Sequence, residues 1–134
     1  MGHDAFSAAI DRFRRACAAH PLVVAAFLGG SRAAGRAHEG SDLDVYVITE
    51  PANYAAFVAD RNRFMRSWGR PVRLEDVWNF EGLGFDMIVF EFIDGVWGEL
   101  ALATTTNFMS MHGGPHDTLV DKDGVLDGVS FPLL

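Results

Sequence analysis

Two aspartates separated by a single leucine, Asp42 and Asp44, sit inside the stretch LGGSRAAGRAHEGSDLDVYVI that runs from Leu28 to Ile48. In an extended chain, residues i and i+2 share a face, so both carboxylates aim the same way, about 7 Å apart. Two acids in an otherwise apolar run are costly unless a cation compensates them. An oxygen-rich pair of this kind suits Mg²⁺, which usually takes one or two carboxylates and completes its shell with substrate phosphates. Upstream stand Gly29, Gly30 and Ser31. A glycine turn feeding a helix that Ser31 caps presents free N–H groups to a phosphate, and Arg32 and Arg36 flank that turn with positive charge. Each half is weak alone, but together they describe one ligand: phosphates on the turn, and a phosphate-bound metal on the acids.

Other constellations fail. The DKDG run at Asp121–Gly124 has the look of a calcium loop, but with Gly124 at the turn position the end ligands would be Leu119 and Ser130, so it is read as a turn. His112 and His116 have the spacing of zinc ligands on a helix, yet Gly113, Gly114 and Pro115 lie between them and forbid the helix. The single cysteine, Cys17, rules out an intrachain disulfide and falls on an apolar helical stripe, as a structural thiol would.

The elements that must position the acids follow from periodicity. Phe6, Ala9, Ile10, Phe13 and Cys17 recur at helical spacing, with Asp4 placed to cap a helix that ends near Ala19. Leu22–Leu28 is a continuous apolar run, hence a buried strand. Asp42–Ile48 is a second strand, with Asp42 and Asp44 on one face and Leu43, Val45 and Val47 on the other. A helix opens at Pro51, carries the stripe Tyr54, Phe57, Val58, Met65 and Trp68, and ends at Gly69. Val72–Val77 is a strand. Phe85–Ile93 and Val96–Ala103 form a hairpin on Asp94-Gly95. A short helix over Thr104–Met111, a strand over Thr118–Val120 and an exposed FPLL tail complete the chain. The order gives an α+β fold, a mixed or antiparallel sheet with helices mainly on one face.

With 134 residues, nearly half of them hydrophobic, the chain suffices for one globular domain. A net charge of −7 disfavours a long nucleic acid as partner. Arg61, Arg63, Arg66, Arg70 and Arg73 read as a solvated face. No signal-like or membrane-spanning apolar run is present, so the expectation is a soluble cytoplasmic protein without a membrane partner.

Gly30-Ser31, Gly35, Ser41, Asp42 and Asp44 resemble the signature of the DNA polymerase beta-like nucleotidyltransferases. The version here is similar to that of the small-molecule branch, which includes the aminoglycoside and lincosamide enzymes and the minimal nucleotidyltransferases. The resemblance is specific over Val23–Ile48 and looser to Asp123. It implies a single catalytic domain over residues 1–134, without the acceptor-binding helical domain of larger members. It implies transfer of a nucleoside monophosphate from a triphosphate, ATP favoured, to a hydroxyl of a small-molecule acceptor, an antibiotic being one such acceptor. Gly30, Ser31, Arg32 and Arg36 would bind the nucleotide, and Asp42, Asp44 and a third acid would hold two Mg²⁺ ions. A homodimer or a helical partner subunit is compatible. The alternative is a non-catalytic module of this type that binds a partner protein, such as a helical toxin-type subunit. The intact Gly30-Ser31 and Asp42–Asp44 pairs count against it.

Asp86, Glu91 and Glu99 compete for the role of third acid. A two-residue turn at Asp94-Gly95 would pair Phe90 with Glu99, placing Asp86 on the face of Glu99 but on the order of 13 Å away, with Glu91 on the opposite face. The resemblance favours Glu99, as metal ligand or general base.

Overall fold

The computed structural model describes residues 2–30, 42–79, 82, 85–110 and 114–131. Helix α1 (Gly2–Ala19) leads into strand β1 (Val23–Gly29), and β2 (Leu43–Thr49) follows. A 3₁₀ turn at Pro51–Asn53 opens onto α2 (Tyr54–Ala59) and α3 (Arg61–Trp68). Then come β3 (Pro71–Val77), β4 (Asp86–Phe92) and β5 (Trp97–Thr104), a 3₁₀ turn at Phe108–Ser110, and β6 (Asp117–Asp121). The fold is α+β, with a six-stranded mixed sheet in the order β3-β4-β5-β2-β1-β6. Among the described strands, β2 and β5 form the parallel pair, and the other neighbours are antiparallel.

Alternation along the strands divides the sheet into two faces. Leu43, Val45 and Val47 from β2, Leu100 and Leu102 from β5, and Ile88, Phe90 and Phe92 from β4 point to the helices. There they meet Phe6, Ala9, Phe13 and Cys17 of α1 and Phe57, Phe64, Met65 and Trp68 of α2 and α3. Trp68 is the hub. Its ring lies 4.7 Å from Phe13, 4.7 Å from Phe90 and 5.0 Å from Phe92, and its Nε1–H donates to the Ala9 carbonyl at 2.8 Å. Fully burying a side chain of this size contributes about 1.5–3 kcal/mol. His20 fastens α1 to the helical pair: its Nδ1 accepts the Leu22 N–H at 3.1 Å, leaving Nε2–H to donate to Asp60 at 3.0 Å.

The second face carries a smaller cluster, built from Val24, Ala25, Phe27, Ile48, Ala101 and Ala103 and closed by Phe85, Phe108, Leu126 and Phe131. At Phe131, the one described residue of the FPLL tail, the expectation of exposure is corrected. Phe131 is buried and stacks 5.1 Å from Phe27, because the apolar residues of β1 on that face need a cover. The acidic turn is organised by Asp121, whose two carboxylate oxygens accept the Val125 and Leu126 N–H groups at 2.9 Å each.

Several local expectations are corrected. Helix α1 starts at Gly2, so Asp4 lies within it instead of capping it. The helix expected from Pro51 to Gly69 breaks at Asp60 into α2 and α3. Of the helix expected over Thr104–Met111, the described residues 104–110 form only a 3₁₀ turn at Phe108–Ser110. The hairpin loop has three residues, Ile93, Asp94 and Gly95. Phe92 N donates to Val96 O at 2.7 Å, Gly95 N donates to Phe92 O at 3.0 Å, and Gly95 takes a φ of 89°. A left-handed glycine after a tight turn inserts one extra residue and shifts the register by one. Glu99 accordingly pairs with Val89, Gly98 with Phe90, and Trp97 with Glu91.

Candidate active site

The crossover from β2 through the helices to β3, β4 and back sets β5 beside β2 in parallel register, with Asp44 opposite Glu99. Asp42 lies just before β2, two residues from Asp44 on the same face. Two neighbouring acids and a third that is distant in sequence are thereby set on the face away from the helices. Their electrostatics record the crowding. Burial first, then the charges of Asp42 and Glu99, push the Asp44 pKa up to about 6. Burial, then Asp42, also raises that of Glu99. Asp44 and Glu99 are each held in a setting that disfavours their own negative charge, and a nearby cation relieves it.

The glycines at the end of β1 make room for this group. In the antiparallel register Gly29 faces Asp44 and Phe27 faces Tyr46. A Cβ on Gly29 would come 2.7 Å from the Tyr46 ring, and a Cβ on Gly30 would run into the Asp44 carboxylate. Gly30 also takes a φ of 67°, which side-chain-bearing residues rarely adopt. Gly30 therefore lets the backbone of the turn lie against the acid. A third close approach holds Glu99 in place: a Cβ on Gly98 would strike the Leu43 carbonyl, so β5 packs against β2 with no side chain between them.

Tyr46 and Gly98 were missed by sequence reasoning. Tyr46 lies on the face of Asp42 and Asp44, and its ring stacks on Phe27 at 4.4 Å and 6°. Burial first, then Asp44, Glu99 and Asp42, push its hydroxyl up to about 12, so it stays protonated as a polar wall of the site. Its signal was the period-two face shared with the aspartates. The signal for Gly98 was a glycine inside a strand.

Asp86 and Glu91 exchange the faces expected for them. Asp86 pairs with Leu102 and turns to the helix side, where its Oδ2 accepts the Tyr54 hydroxyl at 2.6 Å and its Oδ1 accepts the Asn79 N–H at 2.5 Å. It is a structural acid. Glu91 shares the open face with Glu99, beside Trp97. Ser31, Arg32 and Arg36 lie outside the described residues, as does His112. His116 packs against Phe27 and Phe131. Of the arginine group, Arg61 bonds Asp76 at 2.9 Å, Arg63 is 3.6 Å from Asp60, and Arg73 is 3.3 Å from Glu75.

Among the described residues, no three His, Cys, Asp or Glu side chains are gathered tightly enough to hold a metal ion by themselves. The all-oxygen pair of Asp42 and Asp44 nevertheless fits Mg²⁺, whose remaining positions phosphates and water fill. Among the described residues, no helix is long and apolar enough to cross a membrane.

Two comparisons bear on this geometry. The family model described as "Nucleotidyltransferase domain" matches residues 10–96, well over half of the chain and a span that includes Gly30, Asp42 and Asp44 but stops before Glu99. A search of curated proteins gave no match.

Proposed function

Since the chain belongs to the nucleotidyltransferase domain family, we propose that it moves a nucleoside monophosphate from a triphosphate, ATP favoured, to a hydroxyl of a small molecule, as the small-molecule branch of the polymerase beta-like enzymes does. The observation that carries this reading is the register pairing of Asp44 with Glu99 beside Gly30. Gly30, with Ser31, Arg32 and Arg36 beyond it in the chain, holds the outer phosphates. Asp42 and Asp44 would hold Mg²⁺, which when bound supplies charge stabilisation to the phosphates and acidifies the acceptor hydroxyl. In-line displacement puts the attacking oxygen opposite the leaving pyrophosphate. The acceptor therefore lies on the β5 and β4 side, over Trp97, which is 43% exposed. The hydroxyl oxygen bonds to the α-phosphorus, the bond to the bridging oxygen breaks, and that electron pair leaves with pyrophosphate. Glu99, the register partner of Asp44 on the neighbouring strand, takes the hydroxyl proton. Positioning and electrostatics supply the rest of the catalysis.

The test is to incubate the protein with each labelled triphosphate, Mg²⁺ and a panel of hydroxyl-bearing small molecules, hydroxyl-bearing antibiotics among them, and to measure pyrophosphate. The expected result is acceptor-dependent release that Asp44→Asn abolishes. Triphosphate binding with no release against any acceptor would favour the non-catalytic partner-binding module.

A further inference from the structure

Strand β3 ends the sheet, and its outer edge is paired with no other described strand. Such an edge offers a row of N–H and C=O groups to another chain. Arg73–Val77 keeps regular register with β4, so the edge is straight over those residues, and the irregularity is confined to the Pro71–Arg73 end. Exposed apolar side chains gather here as well. Six large hydrophobic residues are exposed among those described, and four of them, Val72, Val77, Trp78 and Ile93, lie on or beside β3. Ile93 is tied to this end of the strand through its N–H, which donates to the Arg70 carbonyl at 2.9 Å.

The strand is also complementary to itself. Run antiparallel about Leu74, the sequence RPVRLEDVW sets Arg73 opposite Glu75 of a second copy, Pro71 opposite Val77, and Arg70 opposite Trp78. Arg73 and Glu75 already share a face and lie 3.3 Å apart within one chain. Across a two-fold axis they become a ring of four alternating charges, the cross-strand pairing that stabilises sheets. The Arg70 side chain has no bonding partner among the described residues, and it meets Trp78, whose ring is 45% exposed and has the Arg61 guanidinium 5.1 Å from its centroid. The one poor match is Val72 with Asp76, and Asp76 is already neutralised by Arg61 at 2.9 Å. We propose that β3 pairs with β3 of a second copy of this chain, antiparallel about Leu74, continuing the sheet across a two-fold axis. The axis stands normal to the sheet, so the two Asp44–Glu99 faces open to the same side.

The experiment is sedimentation equilibrium on the whole chain, comparing wild type, Arg73→Glu, Glu75→Arg, the double reversal, and an equimolar mixture of the two single variants. Circular dichroism reports folding in each case. The wild type is expected to dimerise, and each single variant to dimerise about tenfold or more weakly, because like charges then face each other across the axis. The double reversal restores the dimer. The mixture restores it too, because two acids of one chain then meet two arginines of the other. A wild type that stays monomeric overturns the proposal and leaves the edge to a different chain. Single variants that dimerise as tightly as wild type, or a double reversal that does not recover, overturn it as well. Should a single variant fail to fold, the double reversal carries the test.

Discussion

Asp44 and Glu99 stand side by side as register partners across the parallel strands β2 and β5. Fifty-five residues separate them in the chain. Glu99 adds its charge to the burial and to the Asp42 charge already set against Asp44, and a measurable pH dependence follows.

The folded pKa of Asp44, pushed up to about 6, lies above its value in the unfolded chain. The folded state therefore holds this proton more tightly, and the associated stability is fully present below the ordinary carboxylate range and lost as pH rises through about 6. Without divalent cation, Asp44→Asn is expected to melt higher than wild type at about pH 7.5, with the gap closing toward about pH 4.5. Melting scans of both proteins across that range check this; a gap that does not change with pH contradicts it.

Glu99→Gln is expected to abolish pyrophosphate release while the fold is kept. If Glu99 is the base, Mg²⁺ with triphosphate still raises the melting temperature of the variant as it does that of wild type, because ligand binding to the native state is intact. If Glu99 is a metal ligand, the shift shrinks along with turnover. Preserved turnover would remove Glu99 from the site.

Gly98→Ala is expected to cost about 1–3 kcal/mol, the usual range for overpacking, because the added methyl meets the Leu43 carbonyl. It should also lower turnover by displacing the next residue, Glu99. A denaturant titration and a rate measurement on one preparation separate the two effects. An unchanged rate would mean that the register around Glu99 tolerates the shift.

Asp86 is expected to matter for stability and not for chemistry. Tyr54→Phe removes the hydroxyl that donates to Asp86 at 2.6 Å and should cost about 1 kcal/mol with turnover unchanged. Burial and the Asp86 hydrogen bond both raise the Tyr54 pKa, so the hydroxyl remains a donor at any working pH. Loss of turnover in Asp86→Asn without loss of stability would return Asp86 to the candidates for the third acid.

Much of this was legible in the chain. The alternation of Leu43, Val45 and Val47 against Asp42 and Asp44 foretold the buried and open sides of β2, because period two is local. The apolar stripe of α1 foretold its packing for the same reason. What failed depended on geometry that spacing does not encode. Asp94-Gly95 reads as a two-residue turn, but the Asp94 carboxylate accepts the Val96 N–H at 3.2 Å and Gly95 goes left-handed, which adds a residue to the loop. That one residue reversed the faces expected for Asp86 and Glu91. Glu99 was reached by family resemblance, since the adjacency of β2 and β5 is a product of the crossover and leaves no mark on local sequence.

The alternation along β2 and β5 also sets how this protein can change over generations. On the helix side, truncating Leu43 or Leu100 to alanine opens a cavity at about 2–5 kcal/mol, so a change at either position costs stability directly. On the other side, Trp97 and Glu91 flank Glu99 with at least part of their surface in solvent, and substitutions there leave the packing beneath them intact. Variation can reshape one side of the sheet while the other preserves the fold, and the two histories need not interfere.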